Sequence, residues 1–118
     1  MSNPLSFLPL TPFAFHVLLA LADGERHGYG IMKEVEERSG GTVTLRTGTL
    51  YTLLQRLVDE SLITEATMPP GAEKGDDRRR YYELSPLGHE VLRAEARRLE
   101  ALINDAKRKH VLSDTTGV

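Results

Sequence analysis

The stretch TGTLYTLLQRLVDES, residues 47–61, decides the fold. Its leucines and Val58 recur at helical spacing, so they predict the core-facing side of a helix that runs from Gly48 to Ser61. Thr47 is the predicted N-cap of this helix. The opposite side carries small, hydroxyl-bearing or polar residues, and it is therefore free to meet a partner or water.

This polar side suits contact with double-stranded DNA. The candidate DNA-binding residues in the helix are Thr47, Gly48, Thr49, Tyr51, Gln55 and Arg56. Small residues let the N-terminus of a helix approach a phosphate, where free N–H groups favour negative charge. Gln55 suits an adenine edge, Arg56 suits a guanine or a phosphate, and the Tyr51 hydroxyl suits a phosphate. Periodicity alone leaves a second interpretation open, which is an ordinary solvated helix face.

Two further helices are predicted before this one. The first runs over Pro12–Ala22, with Thr11 as its N-cap and Pro12 at the first helical position. The second runs over Gly28–Ser39 and ends at a pair of glycines. Residues 42–46 alternate in polarity and predict a short extended segment.

A β-hairpin and a long helix follow. The predicted strands are Leu62–Thr67 and Arg79–Leu84, separated by a loop rich in proline, glycine and charge. Ser85 is the predicted cap of the last helix, which starts at Pro86 and continues to about His110. This order is that of a winged helix-turn-helix, a mainly α (α+β) fold with a two-stranded β-wing and a long C-terminal helix.

The predicted wing is basic. Lys74, Arg78 and Arg79 are candidate DNA-binding residues because a basic hairpin beside a recognition helix can grip phosphates. Arg80 shares a strand face with Leu84, so we expect it near the open end of the core. The alternative interpretation is a charge run that protects an edge strand from aggregation.

The apolar residues of the first and last helices indicate self-association. The candidate dimerisation residues are Phe13, Val17, Leu92, Leu99, Leu102, Ile103 and Ala106. The first helix is apolar nearly all round, and the last is too long to pack on the core of so small a protein. We expect a homodimer in which residues 1–85 form the DNA-binding region and residues 86–118 the dimerisation helix and tail, with one compact domain overall.

Composition and motifs argue against an enzyme, a metalloprotein and a membrane protein. The chain has 118 residues, no cysteine and a net charge of −2, and its four histidines form no metal-binding or catalytic motif. We therefore predict no catalytic residues, no metal and no cofactor. No apolar run approaches a membrane span, and the start does not resemble a signal peptide, so we expect a cytoplasmic protein.

Several strings together resemble the PadR family of transcriptional regulators. They are His27-Gly28-Tyr29-Gly30, Gly48-Thr49-Leu50-Tyr51, Arg56-Leu57, Leu62-Ile63, Arg80-Tyr81-Tyr82, Leu84-Ser85 and Gly88. The resemblance runs from about Leu10 to Lys109 and is to the short subgroup with a single dimerisation helix. It implies a homodimeric repressor on a roughly palindromic operator, with a possible small-molecule effector of unknown identity.

This chain departs from the PadR pattern at two positions. Thr47 and Thr52 stand where the family often has proline, so helix entry and local base contacts are expected to differ. A winged-helix module that binds proteins instead of DNA is the alternative function, and the near-neutral net charge suits it. Arg56 and the wing arginines favour DNA, because a protein partner does not need them at those places.

Overall fold

A computed structural model describes residues 3–66 and 80–113 of the chain. Eight elements follow one another in these residues. They are a 3-10 helix (Pro4–Phe7), α1 (Pro12–Ala20), β1 (Arg26–His27), α2 (Gly28–Arg38), α3 (Thr47–Asp59), β2 (Ile63–Ala66), β3 (Tyr81–Leu84) and α4 (Pro86–Arg108). The architecture is a winged helix-turn-helix with a long C-terminal helix, as predicted. The predicted helix ends agree with the structure to within about two residues, which is ordinary fraying.

Side-chain caps begin two of the helices where the sequence placed them. The Thr11 hydroxyl accepts a hydrogen bond from the Ala14 N–H at 3.2 Å, and the Ser85 hydroxyl accepts one from Gly88 at 2.9 Å. The predicted cap of α3 was wrong. Thr47 is the first helical residue, and the N-cap is Arg46, whose side chain makes no capping bond.

The sheet has one strand more than the predicted hairpin. All pairs are antiparallel in the order β1-β3-β2, and β1 adds Arg26 and His27 to the edge of β3. A two-residue strand has no alternation for a sequence pattern to detect, so β1 was missed. Residues 42–46, predicted to be extended, form no strand.

Both faces of β3 are covered, although only one was predicted to be. Tyr82 and Leu84 lie in the main core, as expected. Tyr81 points the other way and is also buried, because the ring of His27 packs edge-on against it with centroids 5.5 Å apart. The neighbouring strand β1 therefore supplies the cover that a two-stranded wing would lack.

The first part of α4 closes the core. It packs against α1, β3 and the 3-10 helix, and it buries Val91, Leu92 and Glu95. The Glu95 carboxylate accepts a hydrogen bond from the Leu10 backbone N–H at 2.7 Å and pairs with Arg98. The N-terminal segment is thereby tied to α4.

The second part of α4 projects beyond this core. From residue 100 to residue 108 none of its side chains is buried in the chain. The large apolar residues Leu102 and Ile103 are 52% and 46% exposed. This half of the helix has no core of its own to pack on.

Candidate nucleic-acid interface

Helix α3 has one apolar and one polar side, as the leucine spacing predicts. Its buried residues are Leu50, Leu53, Leu54 and Leu57. All candidate DNA-binding residues of the helix are exposed, and they are Thr47, Gly48, Thr49, Tyr51, Gln55 and Arg56. Thr52 is exposed among them; its spacing three residues after Thr49 is the signal that places it there. We call this set of exposed residues, Thr52 included, the α3 polar face.

The N-terminus of α3 suits an anion. Its N-cap makes no side-chain hydrogen bond to the first turn, and no acidic residue lies in that turn. A Cβ added at Gly48 would meet no heavy atom within 4 Å, so the backbone there is open to an approaching partner. Free N–H groups and the positive end of the helix dipole favour phosphate at such a place.

Tyr51 is held against the start of α2. Its hydroxyl lies over Gly28, and its side chain is still partly exposed. The same turn is fixed by His27, whose Nδ1 accepts a hydrogen bond from the Gly30 N–H at 3.0 Å. The string His27-Gly28-Tyr29-Gly30 is thus the junction at which α2, β1 and α3 meet.

Gln55 and Arg56 each have a weak partner among the residues that the structure describes. The Gln55 Nε2 donates to Asp59 at 3.0 Å, and the Arg56 Nε lies 3.8 Å from a Glu60 oxygen. Both pairs are exposed and one helical turn apart, and such pairs contribute little stability. Both side chains can therefore exchange these partners for a base edge or a phosphate.

The wing contributes Arg80 within the described residues. Lys74, Arg78 and Arg79, the candidate wing contacts, lie outside the described residues. Arg80 is exposed, and its guanidinium lies 3.4 Å from a Glu65 oxygen. Its position at the open end of the core face agrees with the strand alternation.

A cleft borders the α3 polar face on the side of α1. Its volume is about 580 Å³, which is within the usual range for ligand pockets. Its lining residues are Thr11, Phe13, Gly48, Thr49, Thr52, Leu53 and Arg56. The effector implied by the family resemblance stays a prediction.

The candidate dimerisation residues divide into two groups. Val17 is fully buried and Leu92 is 7% exposed, so both belong to the core of the single chain. Phe13, Leu102 and Ile103 are more than two-fifths exposed, whereas Leu99 and Ala106 are partly exposed. The exposed and partly exposed members remain available to a second copy.

Comparison with known proteins identifies the family of this chain. A model of the transcriptional regulator PadR-like family matches residues 17–94. The chain belongs to this family. The members of this family are PadR-like transcriptional regulators and not enzymes.

Relatives of this PadR-like chain include proteins of different length. An uncharacterised 37.1 kDa protein in transposon TN4556 of Streptomyces fradiae is 42% identical over 86 residues, which are 73% of this chain and 22% of that protein. This chain thus spans about a fifth of the length of that relative.

Solved PadR structures share the fold. A PadR family transcription regulator from Clostridium difficile has a TM-score of 0.69 at 24% identity, with 86% of this chain and 100% of that chain covered. Bacillus subtilis PadR in complex with operator DNA has a TM-score of 0.58 at 26% identity, over 71% of this chain and 46% of that chain.

The described residues offer neither a metal site nor a membrane-spanning helix. Within residues 3–66 and 80–113, no three histidine or acidic side chains are grouped as a metal ion would need. In the same ranges, no helix is long and apolar enough to cross a membrane.

Proposed function

We propose that this PadR-like protein is a homodimeric, sequence-specific repressor that binds a palindromic operator through α3. The observation that carries the proposal is the α3 polar face. Every residue that the sequence selected there for DNA contact is exposed, while the leucines of the same helix are buried. The complex of Bacillus subtilis PadR with operator DNA supports the same use of the fold in this chain.

Within this proposal, α3 enters the major groove with its N-terminal turn leading. Gly48 and Thr49 approach the sugar-phosphate backbone, where the helix N–H groups favour phosphate. Gln55 contacts an adenine edge and Arg56 a guanine edge or a phosphate. The wing arginines bind phosphates on the outside of the duplex and fix the register of the protein without reading sequence.

The homodimer is supported by the exposed half of α4. Leu102 and Ile103 are about half exposed on a projecting helix, and Phe13 is exposed on α1. A second copy related by a two-fold axis would bury these side chains by the same contacts in both directions. Two recognition helices then require two half-sites about one helical turn apart, or a multiple of it.

Selection from sheared genomic DNA of the source organism tests the proposal. Purified protein is allowed to retain fragments at about 150 mM salt, because non-specific binding fades steeply as salt rises. The test variant is Gln55→Ala/Arg56→Ala, and its matched control is Arg93→Ala. Arg93 is exposed on α4, so the control removes one positive charge away from the α3 polar face.

The proposal expects a small set of fragments that share an inverted repeat. They should be retained by the wild type and by Arg93→Ala, and lost by the α3 variant. If the wild type enriches no sequence, or if all three proteins retain the same random fragments, sequence-specific regulation is wrong and a protein-binding role becomes the better explanation. Transcription from a promoter that carries the recovered repeat, with and without the protein, then decides the sign of regulation.

A further inference from the structure

Arg80 and Glu65 form an ion pair at the boundary between the wing and the recognition helix. Glu65 on β2 is paired in register with Tyr82 on β3, so the two side chains leave the sheet on the same face. Arg80, two residues before Tyr82, shares that face. Its guanidinium lies 3.4 Å from the Glu65 carboxylate, and the two side chains are 65% and 50% exposed.

The pair lies beside α3. Helix α3 packs against β2, and Tyr51 of the α3 polar face contributes to the raised pKa of Tyr82. Burial raises the pKa of Tyr82, the Glu65 carboxylate adds to the rise, and a hydrogen bond from Arg80 opposes it. Tyr82 therefore stays protonated, and Glu65 is the anion that faces Arg80 on this surface.

We propose that Glu65 restrains DNA affinity by holding Arg80, and that Arg80 transfers from this carboxylate to a DNA phosphate when the protein binds. This inference rests on the proposed DNA-binding function and deepens it, because it adds a backbone contact and an internal competitor for that contact. An exposed pair at 3.4 Å is weak enough to be exchanged. A phosphate offers the same guanidinium two parallel charge-assisted hydrogen bonds.

The arrangement predicts opposite effects for the two partners. Removal of the Glu65 charge frees Arg80 before DNA arrives, so affinity should rise. Removal of the Arg80 charge deletes the contact, so affinity should fall. A residue that only stabilises the base of the wing would lower affinity when either partner is changed, because the pair would then be broken in both cases.

The experiment compares Glu65→Gln, Arg80→Gln and the double variant for binding to a short DNA duplex of arbitrary sequence. A backbone contact does not depend on sequence, so this probe serves before any operator is known; low salt, about 50 mM, makes non-specific binding measurable. Glu83→Gln is the matched control. It removes the same charge from an exposed residue of β3 on the opposite face of the sheet. Thermal melts of all variants check that they fold.

Glu65→Gln should tighten binding by up to about 5-fold per protomer, the equivalent of one exposed ion pair. Arg80→Gln should weaken binding and reduce the slope of log K against log salt by about 0.9 per protomer. In the Arg80→Gln background, the gain from Glu65→Gln should shrink to that of Glu83→Gln. Arg80→Lys should keep the salt slope, since it keeps the charge, and lose part of the affinity with the guanidinium fork.

Three results would overturn the inference. Glu65→Gln could leave affinity unchanged or lower it, its gain could persist in full without Arg80, or Glu83→Gln could produce an equal gain. In each case the wild type still binds DNA, so the proposed function survives while the restraint by Glu65 is rejected. If the wild type does not bind the duplex even at low salt, the proposed function fails and the inference fails with it.

Discussion

The hydroxyl oxygen of Tyr51 lies 2.5 Å from the point that a Cβ at residue 28 would occupy. Tyr51 belongs to α3 and Gly28 begins α2, so a missing side chain on one helix makes room for a tyrosine of the other. Helix α3 is thus held against the start of α2 by this contact.

Gly28→Ala should therefore displace Tyr51 and weaken DNA binding. The new Cβ would overlap both the hydroxyl and the ring carbon that carries it, and overpacking of this kind costs about 1–3 kcal/mol. Urea unfolding followed by circular dichroism gives the change in stability. DNA retention by the folded variant gives the change in function.

Gly30→Ala is the matched control for this change. It lies in the same turn of α2, and its Cβ would meet the His27 ring at 3.5 Å, which is an ordinary contact. Alanine also has the higher helix propensity, by up to about 1 kcal/mol. Equal stability and equal DNA retention in the two variants would show that the Tyr51–Gly28 contact has no energetic role.

Gly88→Ala should lower the free energy of unfolding more than Gly28→Ala or Gly30→Ala does. A Cβ at residue 88 would stand 1.9 Å from the Leu62 carbonyl oxygen. This atom belongs to the backbone and accepts a hydrogen bond from the Ser85 N–H, so it cannot move aside as a side-chain tip can. We expect the loss of unfolding free energy to exceed about 3 kcal/mol, at the severe end for single substitutions.

Gly48→Ala supplies the comparison for Gly88→Ala. Both residues lie in the first turn of a helix, but a Cβ at residue 48 has open space around it. Its midpoint in urea should stay at or slightly above that of the wild type. A Gly88→Ala variant with a similar midpoint would contradict the close packing of α4 on the residue that precedes β2.

The sequence predicted those features that depend on local chemistry. Thr11 and Ser85 cap helices because a hydroxyl followed by proline suits that position wherever it occurs. The leucines of α3 are buried because their helical spacing places them all on one side of the helix, which faces the core. Strand β1 was missed because its two residues become a strand only by pairing with β3, which lies more than fifty residues later in the chain.

Tertiary contacts also determine the burial of residues whose environment the sequence pattern did not predict correctly. Val17 was selected for dimerisation because α1 is apolar all round, yet its side chain is fully buried within the chain. Glu95 lies on the core side of α4 although it is charged, because the Leu10 N–H and Arg98 meet it there. A pattern along one helix cannot reveal a partner that another segment supplies.

Glu95 should make stability depend on pH. The hydrogen bond from Arg98 holds the pKa of Glu95 below its ordinary value of 4.5, and the Leu10 N–H acts in the same direction. A carboxylate with a lowered pKa in the folded state stabilises the protein above its unfolded pKa, and that stability is lost as the pH falls through the folded pKa. The effect should thus be complete near neutral pH and fade in acid.

Glu95→Gln tests this directly. The variant should be less stable than the wild type at pH 7, and the difference between the two should shrink steadily once the pH drops below about 4.5. Denaturation in urea at a series of pH values gives both curves. A difference that stays constant over the acid range would mean that the charge of Glu95 does not contribute to stability.

The exposed end of α4 gives the test of self-association. Leu102→Glu/Ile103→Glu places two charges on the apolar side of the projecting helix, where a second copy would have to bury them. We expect the wild type to have twice the 13.1 kDa mass of the chain in light scattering at micromolar concentration, and this variant to be a folded monomer. Ala101→Glu/Asn104→Glu adds the same charge in the same turn while it keeps Leu102 and Ile103, so it should remain dimeric. A wild type that scatters as a monomer would remove the homodimer from the proposal. If the wild type and both variants are dimers, the two copies meet elsewhere, and the spacing of operator half-sites would have to be derived from that other surface.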